Sequence, residues 1–424
     1  MALASATHRA IEAVWRIESA RLIAALARMV RDVSLAEDLA QEALVAALQR
    51  WPESGVPDNP GAWLMAVAKR RAVDHFRHAA MAERKHEELA QAMEADRARK
   101  PGLEARIEED VGDDLLRLMF IACHPVLSRE ARAALTLRLL AGLTIEEIAR
   151  AFLVPEPTVA QRIVRAKRTL AEARVPFEIP PEDERKARLS SVLEVIYLIF
   201  NEGYSATAGT DWIRPELCEE ALRLGRILAG LVPDEPEVHG LVALMEIQAS
   251  RLRARVGPAG EPILLLDQDR SRWDRLLIGR GLAALERAEE LGAGLGPYAL
   301  QAAIAACHAR ARTAGDTDWE RIVALYDALV EIVPSPVVEL NRTVAVGAAF
   351  GPAAALELVD ELAADRALAG YHLLPSVRAD LLVKLGRPEE AAAEFERAAS
   401  LTRNEREREL LLSRAGARSD RAPE

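Results

Sequence analysis

Residues 143–170 read LTIEEIARAFLVPEPTVAQRIVRAKRTL, and this stretch leaves little freedom in what it folds into. Thr144 followed by Glu147 is the T-x-x-E pattern of a capping box, in which two orphan amides at a helix start are satisfied reciprocally. Ile145, Ile148, Ala149 and Phe152 then recur at the spacing of an amphipathic helix. Pro155 and Pro157 end that helix and suit the first turn of another, where a missing N–H costs little. Val159, Ile163, Ala166 and Leu170 give the second helix an inward stripe. Thr158, Gln161, Arg162, Arg165 and Arg168 are left pointing elsewhere. Two short helices joined by a tight turn, the second one basic, form a helix-turn-helix pattern. From Pro155 to Arg174 there are five basic residues (Arg162, Arg165, Lys167, Arg168 and Arg174) against two acidic ones (Glu156 and Glu172). The motif alone leaves two readings open, a solvated basic face or a helix that lies against DNA.

The rest of the composition narrows the choice. The chain has 424 residues, enough for two or three domains at roughly 150 residues each. Ala, Leu, Glu and Arg dominate and aromatics make up only 4%, so the expected fold class is all-α. No window approaches ~20 uncharged apolar residues, and the N-terminus lacks an apolar signal core, so the expectation is a cytoplasmic protein with no membrane partner. Cys123, Cys218 and Cys307 are odd in number and far apart, which implies no disulfide framework; each reads as a buried core cysteine. Cys123 adjoins His124, but no second pair at zinc spacing follows, so neither a metal nor another cofactor is expected. The net charge of −11 argues against non-specific coating of nucleic acid and leaves room for a local basic footprint.

Such a footprint occurs twice. Residues 10–86 read as one helical block. Leu22, Ile23, Leu26 and Val30 are set inward. A second helix opens at Ser34, with Glu37 three residues on, and puts Leu39, Ala43, Leu44, Ala47 and Leu48 on one face and Glu37, Asp38, Gln41 and Glu42 elsewhere. After the turn-rich PESGVPDNPG comes GAWLMAVAKRRAVDHFRHAAMAERK, which from Met65 to His86 holds six basic residues against two acidic. Residues 87–114 hold ten acidic residues to four basic ones and read as a partly helical linker. The helix-turn-helix block follows at 115–174, and VPFEIPPEDE marks a Pro-rich boundary. Further helices are expected at 186–290, then repeats at 291–415. In the repeats, Ile322, Ala355 and Ala391 recur at intervals of 33 and 36 residues, near the tetratricopeptide period.

Three stretches in order, SLAEDLAQEALVAALQRW, PGAWLMAVAKRRAVDHFR and the 143–170 segment, resemble an extracytoplasmic-function sigma factor of bacterial RNA polymerase. They correspond to regions 2.1–2.2, 2.3–2.4 and 4.2. SSVLEVIYLIFNEGYSATAG and PILLLDQDRSRWD are similar to segments of the subgroup with a long C-terminal extension ending in tetratricopeptide-like helices. The resemblance implies core RNA polymerase, through its β′ clamp helices and β subunit, and promoter DNA as partners, with a further protein partner for the repeats. It assigns Asp38, Gln41 and Glu42 to the β′ clamp helices. The loop 53–60 and the helix from Trp63 would open and hold the −10 element, with Lys69, Arg70, Arg71 and Arg77 on the backbone and Asp74 on the same helix; Trp63 is a stacking candidate or a core residue. In the −35 module, Gln161 and Arg165 are the base-edge candidates, since Gln suits adenine and Arg guanine. Thr158 stands at the helix start, and Arg162, Lys167 and Arg168 would hold phosphates. Two positions depart from the family pattern: Arg70 stands where Asn is frequent, and Leu153 stands in the turn where Gly is common.

Two other classes compete with this reading. Asn201, Glu202, Asp267, Gln268, Asp269, Arg270 and Asp274 could build an acid–base site, but no nucleophile–base pair or glycine-rich phosphate loop accompanies them, and buried polar residues more often tie helices together. A regulator that binds operators without polymerase is the second alternative, and the 34–51 helix and acidic linker argue against it.

Overall fold

The computed structural model describes residues 2–82 and 103–416. It is helical almost throughout, with two compact units, one up to Ile196 and one from Tyr197. Most of the expected acidic linker lies outside the described residues, together with Arg84 and Lys85.

In the first unit, α1 (Ala2–Val30), α2 (Val33–Ser54) and α3 (Pro60–Ala82) pack mutually. Alanines at 24, 27, 36, 40, 43, 47, 68 and 72 are fully buried, which lets the backbones approach closely around Leu22, Leu26, Trp51 and Leu64. Leu48 stays 37% exposed, so the inward face of α2 is centred on Ala36, Ala40, Ala43 and Ala47, rotated away from the stripe expected from the leucines. The start of α2 also differs from expectation. Asp32 is its N-cap, accepting from the Ser34 and Leu35 amides at 2.7 and 3.0 Å. Glu37 is thereby free of a capping role.

α4 (Leu103–Ala122), α5 (Arg129–Leu139), α6 (Ile145–Phe152) and α7 (Glu156–Glu172) follow. α6 carries the expected capping box: Glu147 N donates to Thr144 Oγ1 at 3.1 Å, and Thr144 N donates to Glu147 Oε2 at 2.8 Å. α7 starts with Pro155 as its cap and buries Val159, Ile163, Ala166 and Leu170, the stripe that the spacing predicts. Leu153 in the intervening turn has φ 49°, so it bears the left-handed conformation that Gly takes at no cost.

α8 (Glu182–Tyr204) begins in the first unit. Its early turns hold the helix-turn-helix block: Arg188 donates to Phe120 O at 3.0 Å, Ser191 Oγ to Cys123 O at 2.6 Å, and Arg132 is clamped by Ser191 and by Glu194 at 3.2 Å.

The second unit continues with α9 (Pro215–Leu231), α10 (Pro236–Ala249), α11 (Arg275–Leu291), α12 (Pro297–Arg310), α13 (Trp319–Ile332), α14 (Pro336–Ala349), α15 (Pro352–Leu362), α16 (Leu373–Lys384), α17 (Pro388–Leu401) and α18 (Glu405–Gly416). From α12 onward each helix packs on the next, as in a solenoid. One core spans Ala243 to Ala309, bridging residues on both sides of position 290. A second runs from Leu300 to Val346 and a third from Leu340 to Ala415. Two short strands, β1 (Ala208–Gly209) and β2 (Arg403–Asn404), pair in parallel with Ala208 opposite Arg403. All three cysteines are buried; burial pushes the Cys123 thiol up to about 11 and that of Cys218 to about 12, the behaviour of inert core residues. Among the described residues no helix is long and apolar enough to cross a membrane.

Candidate nucleic-acid interface

Burying Val159, Ile163, Ala166 and Leu170 turns the remaining positions of α7 outward. Gln161, Arg165 and Arg168 are exposed and share a face at i, i+4, i+7 spacing; Arg162 and Thr158 are half-buried beside it. Val164 lies on the same face and is 65% exposed. An apolar side chain out of phase with the buried stripe is the one signal that could have singled it out in the sequence, and sequence reasoning passed over it. Arg168 lies 3.3 Å from Glu172, both well exposed, which ties it up only weakly.

Lys167 behaves differently from its neighbours. Its ammonium is ion-paired with Glu37 of α2, and its side chain is only 15% exposed. Glu37 is itself buried and accepts from Arg138 Nε at 2.7 Å and from Gln41 Nε2 at 2.6 Å. Burial pushes the Glu37 carboxyl up, but the charges and hydrogen bonds of Lys167 and Arg138 outweigh it and hold the group below the usual carboxylate range. Two further ion pairs bring the blocks together: Arg16 with Glu147 at 3.1 Å, and Arg28 with the buried Asp114 at 3.1 Å. Gly142 faces α1 with φ 69°, and a Cβ there would stand 2.8 Å from Ser19 Oγ, so both conformation and space demand glycine. The helix-turn-helix block is therefore packed against α1 and α2, and Lys167 is turned away from the outward face expected of a phosphate contact.

On α3, Lys69, Arg70, Arg71, Asp74 and Arg77 are all exposed, with Arg70, Asp74 and Arg77 at i, i+4, i+7 spacing. Arg71 pairs with Glu42 at 2.8 Å across to α2. Trp63 is half-buried, its ring edge-on to the buried Trp51 at 5.3 Å, so it is anchored in the helix junction rather than held out on the loop. Asn59 caps α3 by accepting from Ala62 N at 3.0 Å. Asp38, Gln41 and Glu42 line a groove of about 350 Å³ on α2 beside Val45, with Arg71 opposite.

Four of the seven residues that could have built an acid–base site hold loops in place. Glu202 pairs with Arg214, Asp269 and Asp274 accept backbone amides at helix starts, and Gln268 Nε2 donates to Ile263 O at 3.1 Å.

Two helical modules with exposed basic helices, one of them a helix-turn-helix, are the architecture of a DNA-binding protein. Comparisons with known proteins give that class its family. Residues 16–81 match Sigma-70 region 2, residues 117–170 match Sigma-70, region 4, and residues 188–289 match a family of unknown function, DUF6596. The chain is 44% identical over 382 residues to Uncharacterized protein R00370 of Rhizobium meliloti, covering 90% of this chain and 89% of that protein. It is 29% identical over 178 residues to the Probable ECF RNA polymerase sigma factor SigI of Mycobacterium tuberculosis, covering 42% of this chain and 60% of the relative. The chain belongs to the extracytoplasmic-function branch of the sigma-70 family and carries a long C-terminal helical extension.

Proposed function

We propose that this sigma factor binds core RNA polymerase through α2, opens and holds the −10 element with α3 and the loop before it, and reads the −35 element with α7. The observation that carries the reading is the division of α7 into a fully buried stripe and an outward face of Gln161, Val164, Arg165 and Arg168. Gln161 can both donate to and accept from an adenine edge, Arg165 can donate to the two acceptors of a guanine edge, and the Val164 methyls suit a thymine methyl. Lys69, Arg70 and Arg77 are exposed and form no ion pair among the described residues, as backbone clamps on opened DNA require. Asp38, Gln41 and Glu42 are the polar contacts for the β′ clamp helices.

In the arrangement described above, Lys167 serves Glu37 and cannot serve a phosphate. A promoter contact by Lys167 requires that ion pair to open, so the closed first unit is the resting state and polymerase-bound DNA selects the open one. The nearest-neighbour stacking of α12–α18 supports a tetratricopeptide-like array that presents a partner surface, in place of or beside a separate anti-sigma protein.

Reconstitution tests the reading. The purified chain is expected to co-elute with core polymerase and to start transcripts from a template bearing spaced −35 and −10 elements. Tight operator binding with no polymerase association and no transcript would instead favour a regulator that acts without polymerase.

A further inference from the structure

Promoter reading leaves NEGYSATAGTDW and LLLDQDRSRWD without a role, yet both fold around one space. In the second unit they line, with the loop after α10 and the start of α18, an open cavity of about 1190 Å³, somewhat larger than ordinary small-molecule sites. Its apolar walls are Trp212, Leu222, Leu252, Val256, Trp273 and Leu277. Arg406 reaches it from the far end of the unit. The β1–β2 pairing brings that segment in, and the buried Asn404 fixes it by donating to Ala206 O at 3.0 Å and Asp211 O at 2.8 Å.

The charges around this space are unevenly placed, with carboxylates on the rim and guanidinia behind the walls. Behind the aromatic walls, the Arg255 guanidinium lies 3.7 Å from the Tyr204 ring centroid and 5.6 Å from that of Trp212. Arg270 and Arg251 lie 4.8 and 5.7 Å from the Trp273 ring. None of these three, nor Arg253 and Arg272 on the lining, forms an ion pair among the described residues. The buried Nε atoms of Arg251 and Arg255 also lack an acceptor there. The acids on the lining, Asp211, Glu219 and Asp274, are exposed, and Asp274 is engaged in capping α11. Arg406 is offset by Glu409 at 3.1 Å. Asp316 acts on Arg270 and Asp269 on Arg272, so the guanidinia left with no carboxylate beside them in the interior are those of Arg251 and Arg255, where solvent screens them least. Burying cations without carboxylates costs several kcal/mol per charge unless an anion or oriented dipoles compensate. Arg270 has its dipoles in the His308 and Ala311 carbonyls, whereas Arg251 and Arg255 do not have a full set.

We propose that this cavity binds a small organic anion with a flat apolar body, the body against Trp212 and Trp273 and the acid group toward Arg253 and Arg272. The test uses the full chain and 1-anilinonaphthalene-8-sulfonate, which has that chemistry and reports binding by fluorescence; N-phenyl-1-naphthylamine, the same rings without the charge, is the comparison. Saturable binding of one sulfonate probe per chain is expected, tighter than the neutral probe by roughly tenfold or more, equivalent to about 1.4 kcal/mol. The double variant Arg253→Glu and Arg272→Glu alters exposed side chains, so it should melt like the parent, lose about tenfold in affinity for the anion and keep its affinity for the neutral probe. Leu277→Trp, which adds bulk to the apolar wall, should weaken the binding of both probes. Absence of saturable binding, equal affinity for the two probes, or undiminished binding by the folded charge-reversal variant each overturns the proposal. Should that variant melt early, undiminished binding by Leu277→Trp overturns it and loss of binding with an unchanged melt supports it.

Discussion

Arg165 and Lys167 stand two residues apart on α7 and have opposite surroundings. Arg165 is exposed, whereas Lys167 is held by a carboxylate 130 positions earlier in the chain. Arg165→Ala should therefore cost about 1–3 kcal/mol at a single −35 position and relax selectivity there, while Arg168→Ala, a phosphate contact, should weaken all sequences alike. A promoter library scored against both variants separates the two; identical sequence profiles would count against the base-edge role of Arg165. A second residue sets a pH dependence. His308 is buried in the second unit, with its ring 5.2 Å from Trp319. Burial, with Arg251 and Arg270 nearby, pushes it down to about 4 from an ordinary value of 6.5. The unfolded chain takes up a proton between those values and the folded chain does not, so stability is complete above pH 6.5 and falls as the pH drops toward 4. The loss should reach roughly 3 kcal/mol. His308→Gln should flatten urea melts of the second unit over that range, and an unchanged pH slope would refute the assignment.

At the scale of elements, α6 and α7 were legible because their signals are local. A capping box, two prolines and a stripe of period 3.6 all act within one or two turns. The turn between them was legible as a problem: Leu153 had either to avoid positive φ or to bear it, and the structure takes the second course. The role of Glu37 was not legible. Local pattern made it the capping partner of Ser34, but Asp32 out-competes Ser34 as the cap, and the ion-pair partners of Glu37 come from α5 and α7. Nothing within a few residues encodes a contact at that separation. The polar groups of NEGYSATAGTDW and LLLDQDRSRWD were legible as structural ties, but not their individual partners, which are mostly backbone atoms. Because Glu37 joins a helix assigned to polymerase and one assigned to DNA, its removal acts on both. Glu37→Gln leaves Arg138 and Lys167 half-enclosed without a carboxylate, which should destabilise the first unit by roughly 3 kcal/mol. It should also raise the affinity of the full chain for a −35 duplex, since Lys167 is released. Fluorescence anisotropy with that duplex decides the matter: unchanged affinity in a folded Glu37→Gln protein would show that the ion pair does not restrain DNA binding. Acid should act in the same direction. The Glu37 carboxyl is held low in the folded chain, so its contribution is present above the ordinary Glu value and is lost as the pH falls through the folded one.

For the whole molecule, the Pro-rich segment at 175–181 looks like a place to divide the chain, but the packing divides it later. Residues 188–194 of α8 supply Arg188, Ser191 and Glu194 to the helix-turn-helix block, and the first compact unit runs to Ile196. A fragment ending at Arg174 leaves the buried Arg132 without Ser191 and Glu194 and frees the carbonyls of Phe120 and Cys123, so it should be less stable than residues 1–196 by roughly 3 kcal/mol. Urea melts of the two fragments measure the difference, and equal midpoints would mean that α8 adds nothing to the block. The longer fragment is then the right one for asking what the extension does. If residues 197–424 mask the DNA-binding face, residues 1–196 should transcribe more strongly than the full chain. If the extension supplies a contact to polymerase, the fragment should bind a −35 duplex normally and yield little transcript. The second outcome is the expected one, because the Lys167–Glu37 restraint lies wholly within the first unit and needs no extension to enforce it. In addition, a stacked helical array characteristically offers an extended binding surface. In vitro transcription with residues 1–196 beside the full chain, on one template with one preparation of core polymerase, distinguishes the two. Output from the fragment equal to that of the full chain would exclude both roles and leave the extension with a task apart from initiation, such as the anion site inferred in its cavity.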